Sequence, residues 1–272
     1  MEPTAQNYSL SLGDREAFLV RALAQEKKPI FSSADATRLL GRDARQVLHR
    51  LARKRWVLPL TRGLYALVPL DVGVAGADVF TLHNFVTASL LVEPYYIGFW
   101  SALNYHGLTE QIPRTTFIAT TVSKHPVMVL SQECRFVRLS PQKFFGWQEV
   151  EIDGHLVQVS DPEKTVADCL DRPQYCGGIE TIARALYFSR DELDMAKVVS
   201  YADRMRNRSI LKRLGFILER TGVLDEYAHL LPESAPAAGF TKLDPLSRRT
   251  GRHDTRWGLL VNYHLDPEGW GY

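Results

Sequence analysis

The sequence predicts an α+β protein, with an N-terminal winged helix-turn-helix followed by a larger mixed α/β domain that carries a helical lobe. Three observations predict it. Helical periodicity and then a hairpin signal fill residues 1–70, assigned as the first domain. Positive charge is concentrated between Arg38 and Arg62. β-prone runs across 95–160 give way to helical patterns over 161–231. The 272 residues, 45% hydrophobic and 24% charged, suffice for two ordinary cores.

The first helix is expected from Asp14 to Glu26, with Phe18, Leu19, Ala22 and Leu23 on one face. A second begins after Ser32 or Ser33, both good N-cap residues, and stops at Gly41. Asp43 then opens a third helix, with Gln46 three residues on, as in a capping box. Within it Ala44, Val47, Leu48, Leu51 and Ala52 recur at core-facing spacing, while Arg45, Gln46, His49, Arg50, Arg53 and Lys54 fall on the other face. Two β-prone runs, Trp56 to Leu60 and Leu64 to Val68, flank Thr61-Arg62-Gly63, where Gly63 can take the positive φ of a tight hairpin.

A formal net charge of +2 hides an asymmetry. Between residues 38 and 62 stand Arg38, Arg42, Arg45, Arg50, Arg53, Lys54, Arg55 and Arg62, against the single acid Asp43. In a winged fold the third helix enters the major groove. Arg45, Gln46, His49 and Arg50 are then expected at base edges, and Arg53, Lys54, Arg55 and Arg62 at phosphates, with Arg42 in the same basic set. The bland alternative is an amphipathic helix whose basic face is merely solvated. Element order, the charge on the third helix and the basic wing together favour double-stranded DNA.

Pro69 to Asp78 is small and Gly-containing, and 71–78 is read as a linker to a second domain over 79–272. That domain is expected to open with a helix from Asp78 to Leu91, then a short helix from Phe99 to His106 that Gly107 terminates. β-prone runs follow at Thr115 to Val122, Val127 to Leu130, Arg135 to Leu139, Glu149 to Ile152 and Leu156 to Val159. Asp153-Gly154 joins the last two as a two-residue hairpin. Asp161-Pro162-Glu163 supplies an N-cap, a proline at the first helical position and an acid at the positive end of the dipole, for a helix to about Leu170. Further helices are expected over Ile179 to Phe188, Arg190 to Met205 (capped by Ser189) and Ile210 to Arg220. A Pro/Ala-rich break, Pro232 to Gly239, precedes a basic tail over 240–272 with Arg248, Arg249, Arg252 and Arg256.

No catalytic residue, metal site or cofactor is expected, and no enzyme activity. A nuclease reading of Asp161, Glu163 and Lys164 has poor geometry, because adjacent helical residues point about 100° apart. Lys164 and Asp168 read as an i,i+4 pair, His106 as an imidazolium at a helix end, and Cys169 and Cys176 as small buried hydrophobes. Arg204, Arg206, Arg208, Lys212 and Arg213 form a second basic set, open between a solvated junction and a surface for DNA or a protein partner. The longest apolar run, near Tyr95 to Leu103, is broken by Gly98 and Ser101, so no membrane span is expected. The polar N-terminus lacks signal-peptide order, and cytoplasm is the expected location.

Several motifs resemble the AbiEi-family antitoxins. They are Arg62-Gly63-Leu64-Tyr65, the run from Ser101 to Gln111, Val159 to Thr165 with Asp168, Gly177-Gly178-Ile179 and Trp257-Gly258-Leu259. The resemblance implies a type IV antitoxin of two domains. The winged domain would repress its own operon at promoter inverted repeats, and the C-terminal domain would counter a nucleotidyltransferase-like toxin, directly or functionally. A stand-alone winged-helix transcription factor is the alternative.

Overall fold

A computed structural model describes residues 11–26, 28–68, 82–130, 132–231 and 239–270. The expected linker, the start of the helix expected from Asp78, and most of the Pro/Ala-rich break lie outside these residues. The fold is mixed α and β with several sheets, and it divides into two units. One comprises Met1–Leu82 with Val127–Ser131, the other His83–Pro126 with Gln132–Tyr272.

The first unit runs α1 (Asp14–Gln25), β1 (Ile30–Ser32), α2 (Ser33–Leu40), α3 (Ala44–Arg53), β2 (Val57–Thr61) and β3 (Leu64–Leu67). Ser32 caps α2 through a reciprocal bond with Asp35, and Gly41 ends it at φ +63°. Asp43 does not cap α3 as expected. Its backbone is already helical, in a 3₁₀ turn over Gly41–Asp43, and its carboxylate pairs with Arg15 at 2.6 Å. The turn Arg62-Gly63 joins β2 to β3, and β3 pairs also with β1, Phe31 opposite Tyr65. The core joins Leu19, Leu23, Phe31, Val47 and Leu51. The buried stripe of α1 is Glu16, Leu19, Val20 and Leu23, so Phe18, expected inside, is exposed.

The second unit contains α4 (Asn84–Ser89), β4 (Tyr95–Ile97), α5 (Phe99–Tyr105), β5 (Thr115–Thr120), β7 (Gln132–Arg138), β8 (Trp147–Ile152) and β9 (His155–Ser160); β6 (Val127–Val129) falls in the first. Its sheet has the order β7-β5-β4-β9-β8, with β5–β7 and β4–β9 parallel and β4–β5 and β8–β9 antiparallel. Asp153 and Gly154 both take positive φ, which closes the β8–β9 hairpin. The helical layer comprises α6 (Pro162–Asp171), α7 (Ile179–Ser189), α8 (Met195–Met205), α9 (Arg208–Arg220) and the short α10 (Leu224–Tyr227). Helix α8 starts at Asp194, which caps the Lys197 N–H, and not at Ser189. Residues 239–270 add β10 (Thr241–Lys242), β11 (Arg252–Asp254) and β12 (Leu259–Val261) as a small sheet. Trp257 lies flat on α9 where a Cβ on Gly215 would come within 2.0 Å of its ring.

Helix α6 is the hub. Asp161 accepts from the Lys164 N–H at 2.7 Å with Pro162 in the first turn, and every residue from Glu163 to Leu170 is buried. Lys164 and Asp168 are fully buried and bonded to each other. The Tyr96 hydroxyl donates to Asp168 at 2.7 Å and accepts from Lys164 Nζ at 3.0 Å. Burial pushes the Asp168 carboxyl up from its ordinary value, against the pull of Lys164, and pushes the Tyr96 phenol up as well. Removing one partner strands the other in an apolar core. Asp168→Ala is expected to cost about 3–5 kcal/mol in denaturant unfolding, whereas the Lys164→Met/Asp168→Leu pair is expected to cost far less. Equal losses from the two variants would show that the charges themselves are not the issue.

Candidate nucleic-acid interface

Helix α3 is strongly amphipathic. Ala44, Val47, Leu48 and Leu51 face the core, and Arg45, Gln46, His49 and Arg53 lie exposed on the outer face. Arg42, in the turn before α3, and Arg62, at the tip of the β2–β3 hairpin, are also exposed. The side chains of these six residues make no hydrogen bond or ion pair with the described residues. Their polar groups are therefore open to an external acceptor.

Arg50 and Lys54, expected on the DNA face, belong to a different constellation. Glu16, only 2% exposed, accepts from Arg50 Nε at 2.9 Å, Lys54 Nζ at 2.6 Å and the Gly13 N–H at 2.9 Å. Burial alone would raise the Glu16 pKa, but Lys54, the Gly13 amide and Arg50 together bring it below the ordinary carboxylate value. Both cations thus flank α3 on its α1 side. Arg55 also departs from expectation: at φ +61° it closes the C-terminus of α3, ahead of the hairpin. Arg38 pairs with Glu26 at 2.8 Å. Two cations of the sequence-predicted set are therefore structural in part, and the outer row of α3 is narrower than the charge count implies.

Such a row of Arg, Gln and His on a helix, in one unit with a basic hairpin tip, is chemically suited to base edges and phosphates. Residues 19–68 match the family described as "Transcriptional regulator, AbiEi antitoxin". The matched segment spans α1 from Leu19 to the end of β3 and includes the whole of α3. In overall fold the chain is similar to the crystal structure of the RV2827C protein from Mycobacterium tuberculosis, with a TM-score of 0.63 over 92% of each chain at 14% identity. At that identity the likeness speaks for the fold alone. No curated protein matches the chain by sequence.

Outside the AbiEi match, the second basic set does not hold together as one surface. Arg204, Arg206 and Arg208 are exposed, with the Arg204 guanidinium 3.8 Å from the Phe145 ring centroid. Lys212 and Arg213 are each 4% exposed. Lys212 Nζ donates to the Gly239 and Gly258 carbonyls, and Arg213 to those of Leu170, Lys242 and Leu243, so both are internal ties. Burial lowers the pKa of each. Both point inward from α9 because the tail packs over that helix, a contact remote in sequence.

The groups of the nuclease reading are held in structural contacts. Asp161 serves the α6 cap and the Tyr201 hydroxyl, Lys197 pairs with both Glu163 at 2.8 Å and Asp161 at 3.4 Å, and Lys164 lies inside the core. His106 donates Nε2–H to the Ser160 carbonyl at 2.7 Å, and burial lowers its pKa against that bond, so its surroundings work against the imidazolium expected at this helix end. Cys134, Cys169 and Cys176 are free and buried. No helix among the described residues is long and apolar enough to cross a membrane.

The Glu16 constellation carries a signed pH dependence. Because its folded pKa is depressed, its contribution is present above its ordinary carboxylate value and is lost as pH falls through the folded value. Glu16→Gln is expected to destabilise an otherwise wild-type protein by roughly 1–3 kcal/mol at neutral pH. The difference should shrink as the solution is acidified through that window. Thermal unfolding of both proteins across pH 2 to 7 measures it, and a gap that is constant with pH would dismiss the ion pairs as its source.

Proposed function

We propose that the chain is the antitoxin and transcriptional regulator of a toxin–antitoxin pair, and that its first unit is a winged helix-turn-helix that binds promoter DNA. The observation that carries this reading is the outer face of α3, where Arg45, Gln46, His49 and Arg53 stand exposed, with Arg42 exposed in the turn before it and Arg62 on the hairpin of the same unit. An α-helix fits the major groove of B-DNA, where Arg reads guanine and Gln reads adenine through paired bonds. Arg42, Arg53 and Arg62 are assigned to phosphates on either side. The AbiEi match over residues 19–68 supports the same assignment. Binding at inverted repeats would then repress the operon of the chain itself. On this reading the second unit, with no catalytic role, counters a nucleotidyltransferase-like toxin from the same operon, by direct binding or by acting on what the toxin acts on. A stand-alone transcription factor would share the α3 chemistry but have no toxin gene beside it.

Gel shifts on promoter and scrambled DNA at two salt concentrations test the interface. Arg45→Ala, Gln46→Ala and His49→Ala are each expected to cost about 1–3 kcal/mol on the promoter and to relax sequence preference. Arg42→Ala, Arg53→Ala and Arg62→Ala are expected to weaken binding evenly and to lower the salt slope by about one unit each. Unchanged binding in all six variants would remove α3 from the interface.

Co-expression with the adjacent gene tests the antitoxin reading. Growth rescue is expected to survive the Arg45→Ala/Arg53→Ala change while repression of a promoter reporter is lost. Rescue that vanishes with repression would place the whole effect in transcription.

A further inference from the structure

We propose that the second unit holds a docking cleft along α7 for a lysine- or arginine-bearing segment of a partner protein. This goes beyond DNA binding and does not rest on it. The cleft encloses about 810 Å³, and every residue lining it belongs to the second unit. That volume is in the range of ligand-sized clefts. One wall is the outer side of α7 from Gly177-Gly178 to Ser189; the turn Gly107–Gln111 faces it, with Asp244 and Tyr263.

The lining is acidic. Glu110, Glu180 and Asp244 stand against one cation, Arg184, whose guanidinium lies over the rings of Phe188 and Trp270 at 5.6 and 5.9 Å. Asp244 is 4% exposed, accepts from the Leu246 N–H and the Ser247 hydroxyl, and lies against Gly178 at the start of α7. Glu180 accepts from the Tyr263 hydroxyl. The α7 N-terminus has no side-chain cap, which by itself would favour an anion. Asp244 already brings negative charge there, however, and a second anion would meet it at short range. The charge balance selects a cation.

Two largely buried residues independently present unpartnered hydroxyls to the cleft. Thr181 and Ser189 are each 9% exposed and line the cleft, and neither hydroxyl has a partner among the described residues. The Thr181 Oγ1 lies 2.8 Å from where a Cβ on Gly177 would sit, so glycine keeps it accessible. Opening into the cleft, these hydroxyls can exchange water for a peptide backbone, which supplies both donors and acceptors for them. The eleven residues of α7 extend about 16 Å, the reach of about five residues of extended chain. Phe188, which lines the cleft and is 43% exposed, offers apolar contact that a bare polyamine would leave unused.

Fluorescence anisotropy of the full-length protein with a labelled nine-residue peptide of alternating arginine and alanine tests this. Saturable, salt-sensitive binding is expected. It should weaken about tenfold in Glu110→Gln/Glu180→Gln and severalfold in Thr181→Val, which leaves the charge unchanged. Should the double variant fail to fold, Glu110→Gln alone, on an exposed turn, must still weaken binding measurably. Equal affinity of wild type and variants overturns the proposal. So does displacement by spermidine at equal charge concentration, which would mark a small-polycation site, or binding of inorganic phosphate at the cleft, which would mark an anion site. Gel shifts on the same preparations read DNA binding separately, so failure of the peptide leaves the DNA reading standing.

Discussion

The second unit is organised around a charge that water cannot reach. Lys164 sits inside the protein with its ammonium shared between Asp168 and the Tyr96 hydroxyl, and 4.9 Å from the Phe145 ring centroid. Taking these groups out of water costs several kcal/mol per ion, recovered only when the geometry is kept. The requirement therefore fixes the neighbours. Tyr96 ties β4, in the middle of the sheet, to α6, and Gly146, at φ +73°, brings its backbone against the lysine stem where a Cβ would approach within 3.0 Å. The Gly146 carbonyl in turn accepts from the Asp161 N–H at the α6 cap. Sheet, helix start and helix interior are fastened by one buried network, and each needs the others in register.

The first unit uses a buried acid to the opposite end. Glu16 gathers Arg50 and Lys54 to the α1 side of α3 and so divides the helix's positive charge into a structural flank and an open face. Held arginine and lysine side chains also cannot wander across the face, which leaves Arg45, Gln46, His49 and Arg53 to define it. A carboxylate that neutralises part of a basic helix lowers the non-specific phosphate term while the exposed row is retained. On the proposed DNA-binding reading, that balance bears on selectivity more than on raw affinity.

Much of this was legible in the sequence where the signal is local. The stripe of α3 follows from the 3.6-residue period, the β8–β9 turn from Asp153-Gly154, and the α6 start from Asp161 with Pro162. What failed to read depended on distant contacts. Strand β1 is three residues long and exists because β3 offers it an edge. Glu16 sits on the apolar stripe of α1, and only Arg50 and Lys54, over thirty residues away, explain an acid there. An unexplained acid at a core-facing position was the available clue, but Phe18 competed for the same face. Lys212 and Arg213 look like surface cations until the tail covers α9. Lys164 and Asp168 have helix-pair spacing whether exposed or buried, and spacing alone carries no burial.

Opposite charges are thus kept apart within one chain whose formal net charge is only +2. The exposed row of α3 is cationic and the cleft along α7 is lined by three carboxylates to one guanidinium. A polyanion such as DNA is attracted to the first and repelled by the second, and a basic protein segment experiences the reverse. On the two proposed readings, sign alone sorts two kinds of partner between two units without any requirement that the units communicate. Salt screens both attractions and both repulsions together. On the same two proposed readings, discrimination at high ionic strength must then come from shape and hydrogen bonding: base-edge contacts of Gln46 and His49 on one unit, the cleft hydroxyls of Thr181 and Ser189 on the other.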